Sequence, residues 1–131
     1  MSVQTRGQRL ARAAYERIAL RRPDGEYAGF AKRFPSLVHS CGLAQAVAFA
    51  LAKKGRQLQY LEDLTAVLTA GGHERIATPN ALAGRSREVS AARYLRLSRD
   101  ALEAAVWLKR YVEAAEPSSP AVGDSEEGRG A

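Results

Sequence analysis

The stretch Phe34-Pro35-Ser36-Leu37-Val38-His39-Ser40-Cys41-Gly42-Leu43-Ala44-Gln45-Ala46-Val47-Ala48-Phe49-Ala50-Leu51-Ala52-Lys53 decides the fold. Its apolar residues surround the helix axis, with His39, Ser40 and Gln45 as polar exceptions, and a helix hydrophobic all round belongs at the centre of a bundle. Pro35 is expected at the first helical position, where its missing N–H costs nothing, and Gly55 as the stop just past the end. Gly42 reads as an interior glycine, tolerated at about 1 kcal/mol relative to Ala because it permits a close helix crossing. The uncharged apolar run from Cys41 to Ala52 is well short of the roughly 20 residues that span a bilayer, so no membrane partner is expected.

Outward from this segment the pattern stays helical. Residues 4–21 predict a first helix with Val3, Leu10, Ala14 and Ile18 on one side and Arg9, Arg12 and Glu16 opposite, ended by Pro23-Asp24-Gly25. A short helix follows around Glu26 to Arg33. Beyond Gly55, residues 57–70 place Leu58, Leu61, Leu64, Val67 and Leu68 on one stripe before Gly71-Gly72 breaks it. Residues 73–85, with Pro79 and Gly84, support at most one short helix. The last and longest helix starts between Ser86 and Ser90 and runs to about Glu116, with Pro117 just past it. Tyr94, Leu97, Ala101, Ala104, Leu108, Val112 and Ala115 form its main stripe, and Leu95, Leu102 and Val106 a second about 100° away. Residues 117–131, rich in Pro, Ser, Gly and acids, are expected to form a disordered acidic tail.

The expected class is therefore all-α: one compact helical-bundle domain of five to six helices over residues 1–116. The length of 131 residues suits one domain, and Ala and Leu outweigh the β-branched and aromatic residues that favour strands. A single cysteine and the lack of an apolar secretory leader point to a reducing cytoplasm.

Catalytic and cofactor chemistry find little purchase. His39 and Cys41, two apart on a helix, point about 200° from one another and cannot act as a nucleophile–base pair. Two histidines and one cysteine leave a structural zinc set dependent on carboxylates. Glu62-Asp63 read as acids near a helix start, favourable to its dipole. Phosphate-binding, dinucleotide-binding and zinc-protease motifs are absent, so neither an enzyme, a cofactor nor a metal site is expected.

Charge is the more informative quantity. The chain carries +6, and the last residues hold Asp124, Glu126 and Glu127 against Arg129, leaving +8 on residues 1–116. Such a balance favours a polyanionic partner through counterion release. Lys53, Lys54 and Arg56 gather in one turn suited to gripping phosphates, which position a nucleic acid without reading its sequence. Arg9 and Arg12, with Arg6 and Arg17, form a second basic face on the first helix. On the last helix Arg96, Arg99 and Arg110 share a sector with Asp100 and Glu103. Trp107 at its edge is the candidate for packing or a subunit interface, ahead of base stacking.

Two segments also carry a resemblance. The stretch from Pro35 through Gly42-Leu43 and Gln45 to Phe49 and Lys53, and the later Tyr94-Leu95-Arg96-Leu97-Ser98 start with its Trp107-Leu108-Lys109-Arg110 end, are similar to the corresponding helices of the small α-helical subunit of the type III-B CRISPR effector, the Cmr complex. It covers roughly residues 8–115. The resemblance implies a nonenzymatic subunit whose copies line up in a filament beside the crRNA-bearing backbone and help hold target RNA in antiviral interference. Its partners would be other Cmr subunits, copies of itself, and target RNA or the crRNA–target duplex; cleavage and metal requirements would belong to other subunits. The Ala-rich stretch Ala44 to Ala52 and the acidic tail depart from the family pattern. The alternative is a stand-alone basic helical DNA-binding regulator, for which a helix, short glycine turn and polar recognition helix are not found in the required order.

Overall fold

The structure, a computed structural model, describes residues 3–116. Six helices account for its regular structure: α1 (Arg6–Arg21), α2 (Gly25–Cys41), α3 (Leu43–Lys53), α4 (Gly55–Ala70), α5 (Pro79–Glu88) and α6 (Ala91–Ala115). The expected acidic tail lies outside the described residues.

Side-chain oxygens cap four of the six starts. Thr5 opens α1 with a reciprocal box in which its hydroxyl accepts from the Gln8 N–H while the Gln8 side chain accepts from the Thr5 N–H. Asp24, Thr78 and Ser90 cap α2, α5 and α6. Val3 precedes the first helix and is exposed, so the first stripe is Leu10, Ala14 and Ile18 alone.

The deciding stretch folds differently from its sequence reading. Pro35 sits inside α2, and the break falls at Gly42. Gly42 takes φ 86° and ψ 161°, a region open essentially to glycine alone. The helix survives the proline because Tyr27 and Phe30 before it, and Phe34 and Val38 around it, are all buried on one face. The turn at Gly42 divides the stretch into two helices, each with its own buried face. Ala48 and Phe49 are therefore exposed, and the segment is not apolar all round in its surroundings.

α6 is the spine. It packs on α1, α2 and α4, while α5 covers α3 and α4. Contacts of Arg6 with Asp100 and of Tyr15 with Tyr111 run in step, so α1 lies parallel to α6. Lys32 of α2 meets Glu116 just past the end of α6, and Ala44, just beyond the end of α2, meets Tyr94 near the start of α6, so α2 runs antiparallel to it. The centre holds Tyr27, Phe30, Phe34 and Tyr60 with ring centroids 4.9–5.8 Å apart, tilted and edge-on arrangements that add to their burial. Along the second expected stripe of α6, Leu102 and Val106 are half-buried, but Leu95 is exposed because no neighbouring helix covers that turn; Ala115, at the end of the main stripe, is exposed too.

Candidate nucleic-acid interface

The positions that a sequence pattern assigns to solvent include two buried carboxylates, and these settle which cations are free. Asp63 lies in the middle of α4, fully buried rather than in a first turn. Arg17 Nη2 approaches its Oδ1 at 2.8 Å, Arg21 Nε donates to Oδ2 at 2.9 Å, and the Tyr27 hydroxyl donates to the same Oδ2. Asp100, 2% exposed, accepts from Arg6 at 3.2 Å and meets His73 Nε2 at 2.7 Å. Asp63 thus ties α1 and α2 to α4, and Asp100 ties α1 and the loop after α4 to α6. Hydrogen bonding to Asp63 raises the Arg21 guanidinium above its ordinary value, against the opposing effect of burial. Burial, and then the negative charge of Asp63, push the Tyr27 and Tyr60 hydroxyls well above theirs.

These pairs remove cations from the candidate surface. Arg6 and Arg17 are committed inward. Arg12 pairs loosely with Glu16 at 3.5 Å, and Arg9 donates to the Gln4 carbonyl. In the turn between α3 and α4, Arg56 Nε lies 2.6 Å from Asp24 Oδ2. That contact, together with the Tyr27 N–H, lowers the Asp24 carboxyl below its ordinary value, the backbone donor contributing most.

Lys53 and Lys54 remain free of carboxylates among the described residues, and both are exposed. Lys53 Nζ stands 5.3 Å above the half-exposed Phe49 ring. Lys54 is held at φ 59° and ψ −155°, a backbone that a side chain adopts at a cost of order 1–3 kcal/mol. α4 then opens at Gly55 with no side-chain cap.

Arg96, Arg99 and Arg110 are exposed on α6 without ion pairs among the described residues. They share no hydrogen bond with the Lys53–Arg56 turn. Trp107 is half-buried and stacks on Tyr111 at 5.7 Å and 16° between planes, with Tyr15 edge-on to Tyr111 at 5.5 Å. This aromatic row leads into a groove of about 630 Å³ between the ends of α1, α2 and α6.

Sequence reasoning missed one feature of the basic surface. Arg96 joins Arg85 and Arg93 around a second groove, with His73, Glu74 and an apolar floor that includes Ile76 and Leu97. The three-residue step from Arg93 to Arg96 places both on one face, but Arg85 enters only through α5, which the sequence left open.

Among the described residues no group of three or more His, Cys, Asp or Glu side chains could hold a metal ion. No described helix is long and apolar enough to cross a membrane.

Three comparisons bear on this geometry. The family model described as CRISPR-associated protein (Cas_Cmr5) matches residues 6–115. The CRISPR system Cmr subunit Cmr5 of Thermus thermophilus is 37% identical over 117 residues, covering 86% of this chain and 96% of the relative. The crystal structure of a CRISPR-associated Cmr5 family protein from the same organism superposes with a TM-score of 0.77 at 36% identity, over 86% of this chain and 98% of that one.

Proposed function

The chain belongs to the Cmr5 family of CRISPR-associated proteins, and from that premise we propose that it is the nonenzymatic small subunit of a type III-B RNA-guided effector. In this reading it assembles with other Cmr subunits and with copies of itself in the cytoplasm, beside the crRNA-bearing backbone. Its role there is to help hold target RNA during antiviral defence.

The observation that carries the reading is the division of labour among charges. The carboxylates that the fold buries, Asp63 and Asp100, are each consumed by two basic side chains. His73 and Asp100 form the one His–carboxylate contact among the described residues, and no hydroxyl or thiol there is hydrogen-bonded to the other ring nitrogen. Such groups lock helices together. Lys53, Lys54, Arg96, Arg99 and Arg110 stay outward and form no ion pair among the described residues, as a surface working through phosphates requires.

The test is purification of a tagged copy from its native host, with mass spectrometry of the proteins and sequencing of the bound RNA. The expected result is recovery with other Cmr subunits and a crRNA. Recovery alone, or with duplex DNA, overturns the assignment in favour of a DNA-binding regulator.

A further inference from the structure

We propose that the groove between α5, α6 and the loop after α4 is a phosphate site, built by Arg85, Arg93 and Arg96, that seats the backbone of single-stranded RNA. It rests on the reading that the chain works against RNA, and it names a surface separate from the Lys53–Lys54 turn.

Three arginines from two helices line one concavity of about 310 Å³. No carboxylate among the described residues pairs with any of them, whereas Arg6, Arg17, Arg21 and Arg56 each have a carboxylate partner. Glu74 reaches the rim but bonds to none of the three. Like charges gathered in a cleft repel one another, and a bound anion relieves that repulsion while accepting the forked donors that arginine presents.

The groove is also built rather than incidental. Its loop wall is pinned where His73 Nε2 meets the buried Asp100, itself held by Arg6 from α1. Its α6 wall starts at a helix capped by Ser90. Its floor holds the buried Ile76 and Leu97. A volume at the low end of the range occupied by small ligands suits one nucleotide unit of a flexible strand.

The experiment follows the arginine Nε–Hε resonances of the isolated full-length chain during titration with inorganic phosphate, uridine monophosphate and a short oligouridylate. Arg85, Arg93 and Arg96 are expected to shift together along one saturable curve, with the oligonucleotide saturating at the lowest concentration. Arg22 and Arg33, exposed and outside both the groove and the other basic faces, report the shared effect of ionic strength. R93E/R96E is expected to weaken oligouridylate binding on the order of tenfold, with unchanged Arg17 and Arg21 resonances showing that the fold is intact.

Shifts at the three groove arginines no larger than those at Arg22 and Arg33 overturn the site. Saturation by phosphate with no gain from the oligonucleotide overturns the RNA assignment and leaves a small-anion site. Either failure, with the R93E/R96E chain still recovered among Cmr subunits, leaves the subunit reading standing. Loss of wild-type co-purification with a saturable groove separates the opposite case.

Discussion

Removing the anion at the centre of the α1–α2–α4 junction should cost less than removing its cations. Asp63 is 0% exposed, whereas the Arg17 and Arg21 side chains are 34% and 21% exposed. In D63N both guanidiniums can turn toward water, and Arg21 already has Glu62 at 3.4 Å. Charge-assisted hydrogen bonds contribute about 1.5–3 kcal/mol each, and partial exposure discounts them, so D63N should lose about 2–3 kcal/mol in all. R17M/R21M instead leaves a carboxylate in the interior with the Tyr27 hydroxyl as its remaining side-chain donor. Orphaning a buried charge costs about 3–5 kcal/mol, a large part of the 5–15 kcal/mol typical of a whole domain. Adding D63N to that double variant removes the stranded charge, so the triple variant should be about 1–2 kcal/mol more stable than the double. Urea unfolding followed by far-ultraviolet circular dichroism measures all three, provided the slope with denaturant is unchanged. A triple variant no more stable than the double would refute the reasoning, because it would mean that Asp63 is not a desolvated charge held in place by its arginines.

Four further outcomes follow from the same geometry. G42A should destabilise by about 1–3 kcal/mol, since the backbone there suits glycine and an added Cβ would meet the Tyr94 hydroxyl at 3.4 Å; a midpoint equal to wild type in urea would contradict the strain. K54G should do the reverse, relieving about 1 kcal/mol of backbone strain while weakening target-RNA binding by the assembled complex, and a variant both destabilised and fully RNA-competent would count against it. The Tyr60 hydroxyl is buried without a partner among the described residues, so Y60F should gain about 1 kcal/mol. Tyr60 and Tyr27 titrate above the ordinary 10.0 in the folded chain. The stability they supply is fully present below pH 10.0 and is lost as pH rises toward the folded values, and Y60F should flatten that alkaline loss. A pH profile above 10 that is unchanged in Y60F would show the hydroxyl to be solvated. At the other end, the depressed Asp24 carboxyl contributes stability present above 3.8 and lost as pH falls through its folded value, so D24N should flatten the acid limb.

Helices with a buried face were legible in the sequence: α1, α4 and α6 show apolar stripes, and Gly71-Gly72 punctuates where local chemistry demands. The placement of Pro35 and Gly42 was not. A proline inside a helix loses one backbone hydrogen bond, and whether the chain breaks there depends on burial of Tyr27, Phe30 and Phe34 against Tyr60, which is far off in sequence. Asp63 and Asp100 were equally hidden, because a charged residue on a helix reads as solvent-facing unless its partners are known. Those partners sit 46 residues away for Arg17 and 94 for Arg6. On the basic surface, Lys53 and Lys54 stand exposed where their clustering suggested, and Arg56 is drawn off by Asp24, the cap of another helix. Arg85 went unmarked because α5 has few apolar residues to give it a period, and without it Arg93 on α6 had no groove to join.

The central claim is that this subunit lends phosphate contacts to target binding without chemistry of its own. Its most direct test is the salt dependence of target-RNA affinity for the reconstituted complex carrying either the wild-type chain or K53A/K54A. Each lost contact to single-stranded phosphate should reduce the slope of log affinity against log salt by about 0.7, so the variant should bind more weakly and with a slope shallower by about 1.4. Identical affinity and slope for the two complexes would contradict the account.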